Sequence, residues 1–249
     1  MSELRFRALE GMPWVEPGDD LAKLLLRAAA SSAVELRGGV LLVCQKVVSK
    51  AEGRLLRLCE VEPSPRAQEI AHEHDRDPRL VEVVLRETRR IVRRGHGVLI
   101  CETQHGFVCA NAGVDQSNAP DDDTVVLLPV DPDASAQRLR ESLLSAGAGP
   151  LAVVVTDTFG RPWREGLVDV ALGCSGIAPI EDLRGSPDLR GRELVVTANA
   201  TVDALAAGAG LLMGKGSGVP AVFAEGVALE GEGSVQRDLL RDPALDLFR

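Results

Sequence analysis

The chain has 249 residues, 45% of them hydrophobic, and a formal net charge of −9 at pH 7. This length can bury a large core, as one big domain or two small ones. Acidic charge, 3% aromatic residues and no tyrosine argue against nucleic-acid-binding modules, which are usually basic and stack bases on aromatic rings.

The first quarter of the sequence predicts one helix and one buried strand. Apolar residues recur at helical spacing from Leu21 to Ala28, with Asp19 or Asp20 as the N-cap. The apolar run 40–43 is typical of a short buried strand. Residues 44–53, which include two lysines, are predicted to form a polar turn at the end of this strand.

The clearest helical pattern begins at residues 77–78 and stops at Gly95. Arginines between positions 86 and 94 lie largely away from its apolar face. They form either a solvated face paired with Glu82 and Glu87 or a surface that binds anions.

The second half of the chain mixes strands and helices without a strict βαβ rhythm. We expect strands at 97–101, 125–130, 151–155 and 221–224, and helices at 135–146 and 201–213. The acidic tail from Gly231 onward is predicted to be partly mobile. The mixture indicates an α+β fold, with mixed sheets and flanking helices.

Two segments, residues 109–118 and 156–166, concentrate the polar chemistry. Each follows an apolar, β-branched run and then changes to Gly, Asp, Asn, Thr and Arg. The carboxylates of Asp115 and Asp157 and the hydroxyl of Thr158 are oxygen ligands that suit magnesium or manganese, and such a metal implies a phosphate. Each aspartate alone could instead cap a local turn.

Three further side chains near these segments are candidates for catalysis. Arg161 and Arg164 can bind a carboxylate or a developing phosphoryl charge, because the guanidinium fork matches such oxygens; ion pairs with Glu165 or Asp169 are the alternative. His105 is a candidate general base or a structural hydrogen-bonding residue.

The stretch from Gly210 to Ser217 superficially resembles a phosphate-binding P-loop. Its glycine spacing is one residue short, and it follows a helix instead of preceding one. Gly214 is therefore a candidate helix C-cap, while the glycine-rich turn can still bring backbone N–H groups to a phosphate.

The cysteines and the hydropathy of the chain bear on its location. Five cysteines without C-x-x-C spacing favour reduced thiols in the cytosol over a disulfide framework or a structural zinc site. No apolar stretch approaches the ~18 residues of a membrane span, and the first residues lack a signal-peptide core. We expect a cytoplasmic protein with neither a membrane nor a nucleic-acid partner.

Together, these segments resemble the coenzyme F-420-0:L-glutamate ligase family, in its stand-alone form. The matching stretches are 11–13, 17–20, 45–53, 102–115, 157–166, 176–179, 182–185 and 213–215. They are long and specific, and they follow the expected order over essentially the whole chain.

The resemblance implies a GTP-dependent ligase that joins L-glutamate to coenzyme F-420-0 and then adds further γ-linked glutamates. It also implies magnesium or manganese, with potassium as a further candidate cation, and a homodimer. The expected fold is particular to the family, with two intimately packed lobes in one unit, 1–249. Residues 76–150 are a candidate smaller lobe between 1–75 and 151–249.

Specific site residues are carried over from the resemblance by position. The implied metal ligands are Asp115, Asp157 and Thr158. The implied GTP contacts are Met12, Pro13, Trp14, Val15, Gln45, Lys46, Lys50, Asn118, Met213, Gly214, Lys215, Gly216, Ser217 and Gly218.

The residues support a reaction through an activated acyl phosphate, formed when a substrate carboxylate attacks the γ-phosphorus of GTP. Two alternatives stay open at this stage. One is a related metal-dependent acyl or phosphoryl transferase with another acceptor. The other is a non-catalytic protein that binds GTP or a deazaflavin.

Overall fold

A computed structural model describes residues 3–95 and 97–246 and has a mixed α+β architecture. The strands are Arg5–Ala8 (β1), Gly39–Cys44 (β2), Leu55–Arg57 (β3), Thr88–Gly95 (β4), Val98–Thr103 (β5), Val108–Ala110 (β6), Thr124–Val126 (β7), Ala152–Arg161 (β8), Arg164–Ser175 (β9), Ile180–Asp182 (β10), Ala198–Ala200 (β11) and Ala221–Glu225 (β12). The α-helices are Leu21–Ser31 (α1), Gln45–Ala51 (α2), Pro65–His74 (α3), Pro78–Arg86 (α4), Pro132–Ser145 (α5) and Thr201–Gly210 (α6). Short 3₁₀ turns cover Leu58–Glu60, Asn111–Gly113 and Pro243–Leu245, and a π turn covers Val235–Leu239.

A five-stranded sheet with the order β1-β12-β2-β8-β9 forms the centre of the fold. Only β2 and β8 pair in parallel within it, and their register joins Cys44 to Thr156. Because β12 runs antiparallel to both β1 and β2, its start lies beside their ends. The segments that follow β1, β2 and Thr156, and the loop that precedes β12, therefore meet at one edge of the sheet.

The hairpin of β8 and β9 continues past this edge as a two-stranded extension. Strand β2 pairs with β8 only as far as Thr156, whereas β8 pairs with β9 as far as Arg161 and Arg164. Residues 157–169 of this extension are called the ribbon below. Its far half is exposed to solvent.

Both faces of the central sheet are covered, so its strands are apolar on both sides. Leu41 and Val43 pack with α1, α2 and α5 on one face, while Val40 and Leu42 pack with α6 on the other. This division follows from the two-residue period of a strand. The sequence prediction of β2 as a buried strand is confirmed.

A third hydrophobic cluster lies in residues 58–127. Helices α3 and α4 pack there with the three-stranded sheet β4-β5-β6 and with the short pair β3-β7. An isolated bridge between Asp115 and Val126 closes the loop after β6. This part of the chain carries Asp115 to the edge of the central sheet.

Two of the sequence predictions near this region are wrong. Residues 45–51 form helix α2 and not a polar turn, because Gln45, Val48 and Ser49 recur at helical spacing and are buried. The helix that begins at Pro78 ends at Arg86 and does not reach Gly95.

The segment after Arg86 is strand β4, which pairs antiparallel with β5. Its β-branched residues, such as Thr88 and Ile91, favour a strand, and Ile91 packs inward. Arg86 pairs with Glu82, Arg89 and Arg90 pair with Glu102, and Arg94 pairs with Glu73; Glu87 pairs instead with Arg54.

Other boundaries also differ from the predictions. Strand β7 stops at Val126 although a strand was expected to 130, and α6 stops at Gly210, which rules out Gly214 as its cap. The segment from Gly231 is not a free tail, because Val235 is fully buried and its N–H donates to Asp133. None of the helices among the described residues has the length and apolar character that crossing a bilayer requires.

Candidate functional site

A cavity of about 260 Å³ opens where the base of the ribbon meets the loop after β6. It lies at the edge of the central sheet, where the predicted site segments converge. Its lining residues are Lys46, Cys109, Ala110, Asn111, Gly113, Val114, Asp115, Asp157, Thr158, Phe159, Gly160, Leu167 and Lys215. The structure thus brings together all three predicted metal ligands and two of the predicted phosphate contacts, Lys46 and Lys215.

Asp157 is the most perturbed acid of this cavity. It lies one residue beyond the last pairing of β8 with β2 and is half-buried. Burial, helped by the charges of Asp115 and Asp169, raises its pKa to about 7 against the opposing effects of a backbone hydrogen bond from Thr158 and the charge of Lys46. A cation in the cavity would favour the ionised form.

Asp115 is held in place by two groups. Its Oδ2 lies 2.8 Å from the Lys46 Nζ, and its Oδ1 accepts the Ser117 N–H at 2.7 Å. Burial disfavours its charged form, but the hydrogen bond and charge of Lys46 outweigh burial and lower the pKa of Asp115. Asp115 therefore both caps a local turn and lines the cavity.

Helix α2 places two lysines beside the cavity, one turn apart. The Lys46 Nζ also donates to the Ser117 hydroxyl at 3.0 Å, and the pKa of Lys46 is raised by Asp115 against the effect of burial. Lys50 is only 4% exposed, and its Nζ lies 3.5 Å from the centre of the Trp14 ring. Burial and the charge of Lys46 lower the pKa of Lys50.

The loop before β12 completes the rim of the site. The Cys44 N–H donates to the Pro220 carbonyl at 2.8 Å, which fixes the end of this loop against the start of α2. Ser217 closes a turn through two bonds to the Gly214 carbonyl. Lys215 lies between these two residues and lines the cavity.

Two buried polar atoms at this edge have no hydrogen-bond partner within the described residues, the Gln45 Nε2 and the Thr156 Oγ1. Gln45 is fully buried, and only its Oε1 is engaged, by the Ser49 hydroxyl. Buried polar atoms are normally paired. Their position at the ends of β2 and β8 is consistent with a polar ligand at this edge.

The donor set fits a hard divalent cation. Two carboxylates and one hydroxyl offer oxygen ligands, which magnesium and manganese prefer, while water or phosphate commonly supplies the rest. Within residues 3–95 and 97–246 no group of three or more His, Cys, Asp or Glu side chains could hold a metal. A metal here would therefore depend on non-protein ligands as well.

Arg161 and Arg164 lie at the tip of the ribbon, where they are register partners. They are exposed and do not line the cavity. No ion pair joins either arginine to Glu165 or Asp169. Trp163, between them, has a φ of 59° and is 78% exposed, so it is not a core residue.

His105 lies outside the cavity lining. Its Nε2 is 2.9 Å from the Pro129 carbonyl oxygen and 3.0 Å from that of Val130. These contacts suit the structural hydrogen-bonding role that the sequence left open.

The remaining predicted GTP contacts are not among the residues that line the cavity. Val15 is buried in the core, Trp14 is 54% exposed, and Met12 packs partly against the core. Asn118 is exposed, with a φ of 57°, in the loop that follows Asp115.

The surroundings of the two cysteines near the site favour the neutral thiol over the thiolate. Burial raises the pKa of Cys109, in the cavity wall, to about 12 and that of Cys44 to about 11, with the Asp157 charge adding to both. A protonated thiol is a poor nucleophile. All five cysteines are free.

The sequence interpretation missed two residues of the site. Ser117 bridges Asp115 and Lys46, and Asp169 accepts the Thr158 hydroxyl at 2.7 Å. Ser117 could have been found from the Asp-x-Ser spacing of a local turn. Asp169 could have been found only if 157–169 had been recognised as a hairpin, since the pairing of β8 and β9 sets its position opposite Thr158.

Comparison with known proteins gives a consistent result. A family model described as "F420-0:Gamma-glutamyl ligase" matches residues 11–226. Proteins named "Coenzyme F420:L-glutamate ligase" are similar over most of their length. The one from Methanothermobacter thermautotrophicus is 46% identical over 97% of both chains. The protein from Methanopyrus kandleri is 48% identical over 94% of this chain and 93% of its own length. The protein from Archaeoglobus fulgidus is 42% identical over 97% of this chain and 94% of its own length.

Proposed function

We propose, since the chain belongs to the F420-0:gamma-glutamyl ligase family, that it joins L-glutamate to coenzyme F-420-0 in the biosynthesis of coenzyme F420. GTP is the proposed energy source, and further γ-linked glutamates are added in a second activity. The observation that carries this proposal is the cavity in which Asp115, Asp157 and Thr158 face Lys46 and Lys215.

Asp115, Asp157 and Thr158 would hold magnesium or manganese. A bound divalent cation neutralises phosphate oxygens and so makes phosphorus easier to attack. Lys46 and Lys215 would bind phosphate oxygens as point charges. When the Lys46 side chain moves to bind a phosphate, its ion pair with Asp115 breaks. The Asp115 carboxylate is then free to bind the cation.

The nucleotide itself would lie along the sheet edge. The turn from Gly214 to Ser217 can offer backbone N–H groups to a phosphate, and its glycines allow close approach. Lys50 and Trp14 form a cation-π pair one helical turn along α2 from Lys46, and we propose that this aromatic ring and this charge contact another part of GTP. Gln45 and Asn118 are further proposed contacts.

Two chemical steps would follow. A carboxylate of coenzyme F-420-0 attacks the γ-phosphorus, which breaks the bond to GDP and gives an acyl phosphate. The amine of L-glutamate then attacks the acyl carbon, and inorganic phosphate leaves as the amide forms. The acyl phosphate splits one difficult condensation into two easier steps.

The catalytic assignments follow from side-chain chemistry. Arg161 and Arg164 would bind the carboxylates of L-glutamate or of the acceptor by bidentate hydrogen bonds. We assign His105 a structural role instead of the general-base role, because it lies outside the cavity lining and its Nε2 contacts two backbone carbonyl oxygens.

A homodimer is part of the same proposal. A two-stranded ribbon is marginally stable alone in water, yet this one exposes 78% of Trp163 and 59% of Leu167. Packing against a second copy would bury these side chains and hold the ribbon in place.

Mass spectrometry of coenzyme F-420-0 incubated with purified protein, GTP, L-glutamate and magnesium or manganese tests the proposal. The expected products are heavier by one or more glutamyl units and require GTP. Runs with ATP in place of GTP, and with sodium in place of potassium, test the nucleotide and the monovalent cation. Absence of product with either metal, while GTP binds and stays intact, would overturn the ligase assignment in favour of a binding protein.

A further inference from the structure

A hydrogen bond inside the ribbon connects Thr158 to a carboxylate outside the predicted ligand set. Thr158 on β8 and Asp169 on β9 are register partners, and the Thr158 Oγ1 donates to the Asp169 Oδ1 at 2.7 Å. Because directly paired residues of an antiparallel sheet project from the same face, the contact is built into the pairing of the strands.

Asp169 lies beside the C-terminal end of helix α6. It is half-buried and lies against the last residue of α6: a Cβ on Gly210 would be 2.8 Å from the Asp169 Cγ and 2.9 Å from its Oδ2. The C-terminal end of a helix carries partial negative charge, which repels a carboxylate. Within the described part of the chain, no lysine or arginine makes an ion pair with it.

Other buried or half-buried aspartates of the same region accept backbone hydrogen bonds and so support the fold. Asp133 accepts the backbone N–H groups of Cys174, Val235 and Gln236, and Asp203 accepts that of Ala171. The only hydrogen bond of the Asp169 side chain in the described structure is the one from Thr158. Its position is therefore explained better by what it does to Thr158 than by support of the fold.

We propose that Asp169 is a positioning residue that orients the Thr158 hydroxyl for the divalent cation. This inference rests on the proposed function, in which Asp115, Asp157 and Thr158 hold that cation. A hydroxyl has one proton and two acceptor lone pairs. With the proton committed to Asp169, the lone pairs of the Thr158 Oγ1 are left for the cavity, and the side chain is fixed in one rotamer.

The size of the effect can be anticipated from comparable sites. Groups that orient a metal ligand through a hydrogen bond typically change metal affinity 10- to 100-fold when they are removed. The negative charge of Asp169 also makes the hydroxyl oxygen a better donor to a cation. Gly210 is part of this arrangement, because any side chain there would displace the carboxylate.

The test is a titration with Mn²⁺ alone, followed by the electron paramagnetic resonance signal of the free ion. Asp169→Ala and Thr158→Val are each expected to weaken binding roughly 10- to 100-fold. The double variant should bind no more weakly than the weaker of the two single variants, because both remove the same interaction. Asp169→Asn, which keeps an acceptor oxygen for the Thr158 proton, should lose clearly less than Asp169→Ala.

Asp203→Asn is the matched control, since it neutralises a half-buried carboxylate next to β9 that does not line the cavity. It should leave Mn²⁺ affinity unchanged. Thermal unfolding without metal shows whether any variant is merely unfolded. Partial rescue by Asp169→Asn relative to Asp169→Ala also distinguishes positioning from general support of the fold.

Each result has a defined meaning. If the losses of the two single variants multiply in the double variant, Asp169 acts independently of Thr158 and the inference is wrong. If Asp169→Ala binds as tightly as the wild type, the inference is also wrong, while the proposed metal site stands. If the wild type itself does not bind Mn²⁺, the metal part of the proposed function fails, and this inference fails with it.

Discussion

The base and the tip of the ribbon belong to one short sequence segment but have opposite environments. At the base, Asp157 is half-buried beside Asp115, and its pKa is raised to about 7. At the tip, Arg161 and Arg164 are exposed and make no ion pair with another described residue. Arg161 is four positions after Asp157 in an extended strand, which corresponds to about 13 Å.

This contrast shows that residues of one sequence motif can belong to two separate functional regions. The side chains at the base are already held in position by elements of the same chain: the neighbouring strands, α2 and the loop after β6. The tip is exposed to solvent, and its arginines are open to a substrate or a second copy. Variants of the base should therefore damage chemistry within each chain, and variants of the tip should damage binding or assembly.

The largest expected effect is at the base. Asp157→Asn should lower turnover roughly a hundredfold or more, because it removes a charged metal ligand worth several kcal/mol in the transition state. Steady-state kinetics with magnesium measure it. Asp238→Asn, which changes an exposed aspartate paired with Arg237 outside the family-matching stretches, is the control and should be fully active. Full activity of Asp157→Asn would refute the metal assignment.

The next effect is at the arginines of the tip. Arg161→Ala and Arg164→Ala should each raise the KM for L-glutamate or for the acceptor roughly 10- to 100-fold, the loss expected for a charge-assisted hydrogen bond. Mn²⁺ affinity should not change. Arg237→Ala, at an exposed arginine paired with Asp238, serves as the control. A loss of Mn²⁺ affinity in a tip variant would show that the tip contributes to the metal site and is not separate from the base.

Assembly is predicted to depend on the apolar surface of the ribbon. Trp163→Ser should weaken self-association at least about tenfold, because large aromatic side chains dominate interfaces. Analytical ultracentrifugation over a range of concentrations measures the change. Leu189→Ser is the matched control at a fully exposed apolar side chain elsewhere. A wild-type chain that stays monomeric at every concentration would exclude the homodimer.

The smallest effect concerns pH and metal-free stability. Burial raises the pKa of Asp157 to about 7 from the ordinary 3.8, so between these values the native state binds a proton that the unfolded state does not. Stability from this group is therefore fully present below pH 4 and is lost as pH rises through 7. Over this pH range, the free energy of unfolding of the wild type should therefore fall by roughly 1–3 kcal/mol more than that of Asp157→Asn.

Urea unfolding of both proteins at pH 5 and pH 8, with a chelator, gives the comparison. Asp115 behaves in the opposite way, since Lys46 and the turn lower its pKa against burial; its contribution is lost only as pH falls below about 4. Identical pH slopes for the wild type and Asp157→Asn would contradict the shift at Asp157.

The sequence predicted the buried strands and the residues of the base better than it predicted the ribbon. Asp115, Asp157 and Thr158 were expected together, because carboxylates at strand ends are a local signal, and the structure places them around one cavity. The predicted strand covers only 151–155 and ends before the polar segment 156–166. Pairing with β9 extends the strand instead, and pairing is not visible in a local pattern.

Helix α2 and strand β4 show the same limit. The sequence predicts a polar turn over residues 44–53, because the burial of Gln45 and Ser49 depends on neighbours that are distant in sequence. Residues 88–95 continue the helical spacing of α4 by coincidence, and the competing pairing with β5 decides their conformation. The GTP contacts, the metal and the homodimer remain predictions.

The position of β12 has a consequence for synthesis of the protein. This strand is the last of the central sheet along the chain, yet it lies between β1 and β2. A nascent chain that ends before residue 221 carries every predicted metal ligand but leaves two strand edges unpaired, and such edges invite aggregation. Folding of the centre must therefore wait until nearly the whole chain has left the ribosome. We expect slow folding dominated by long-range pairing, and truncations in this region should be insoluble.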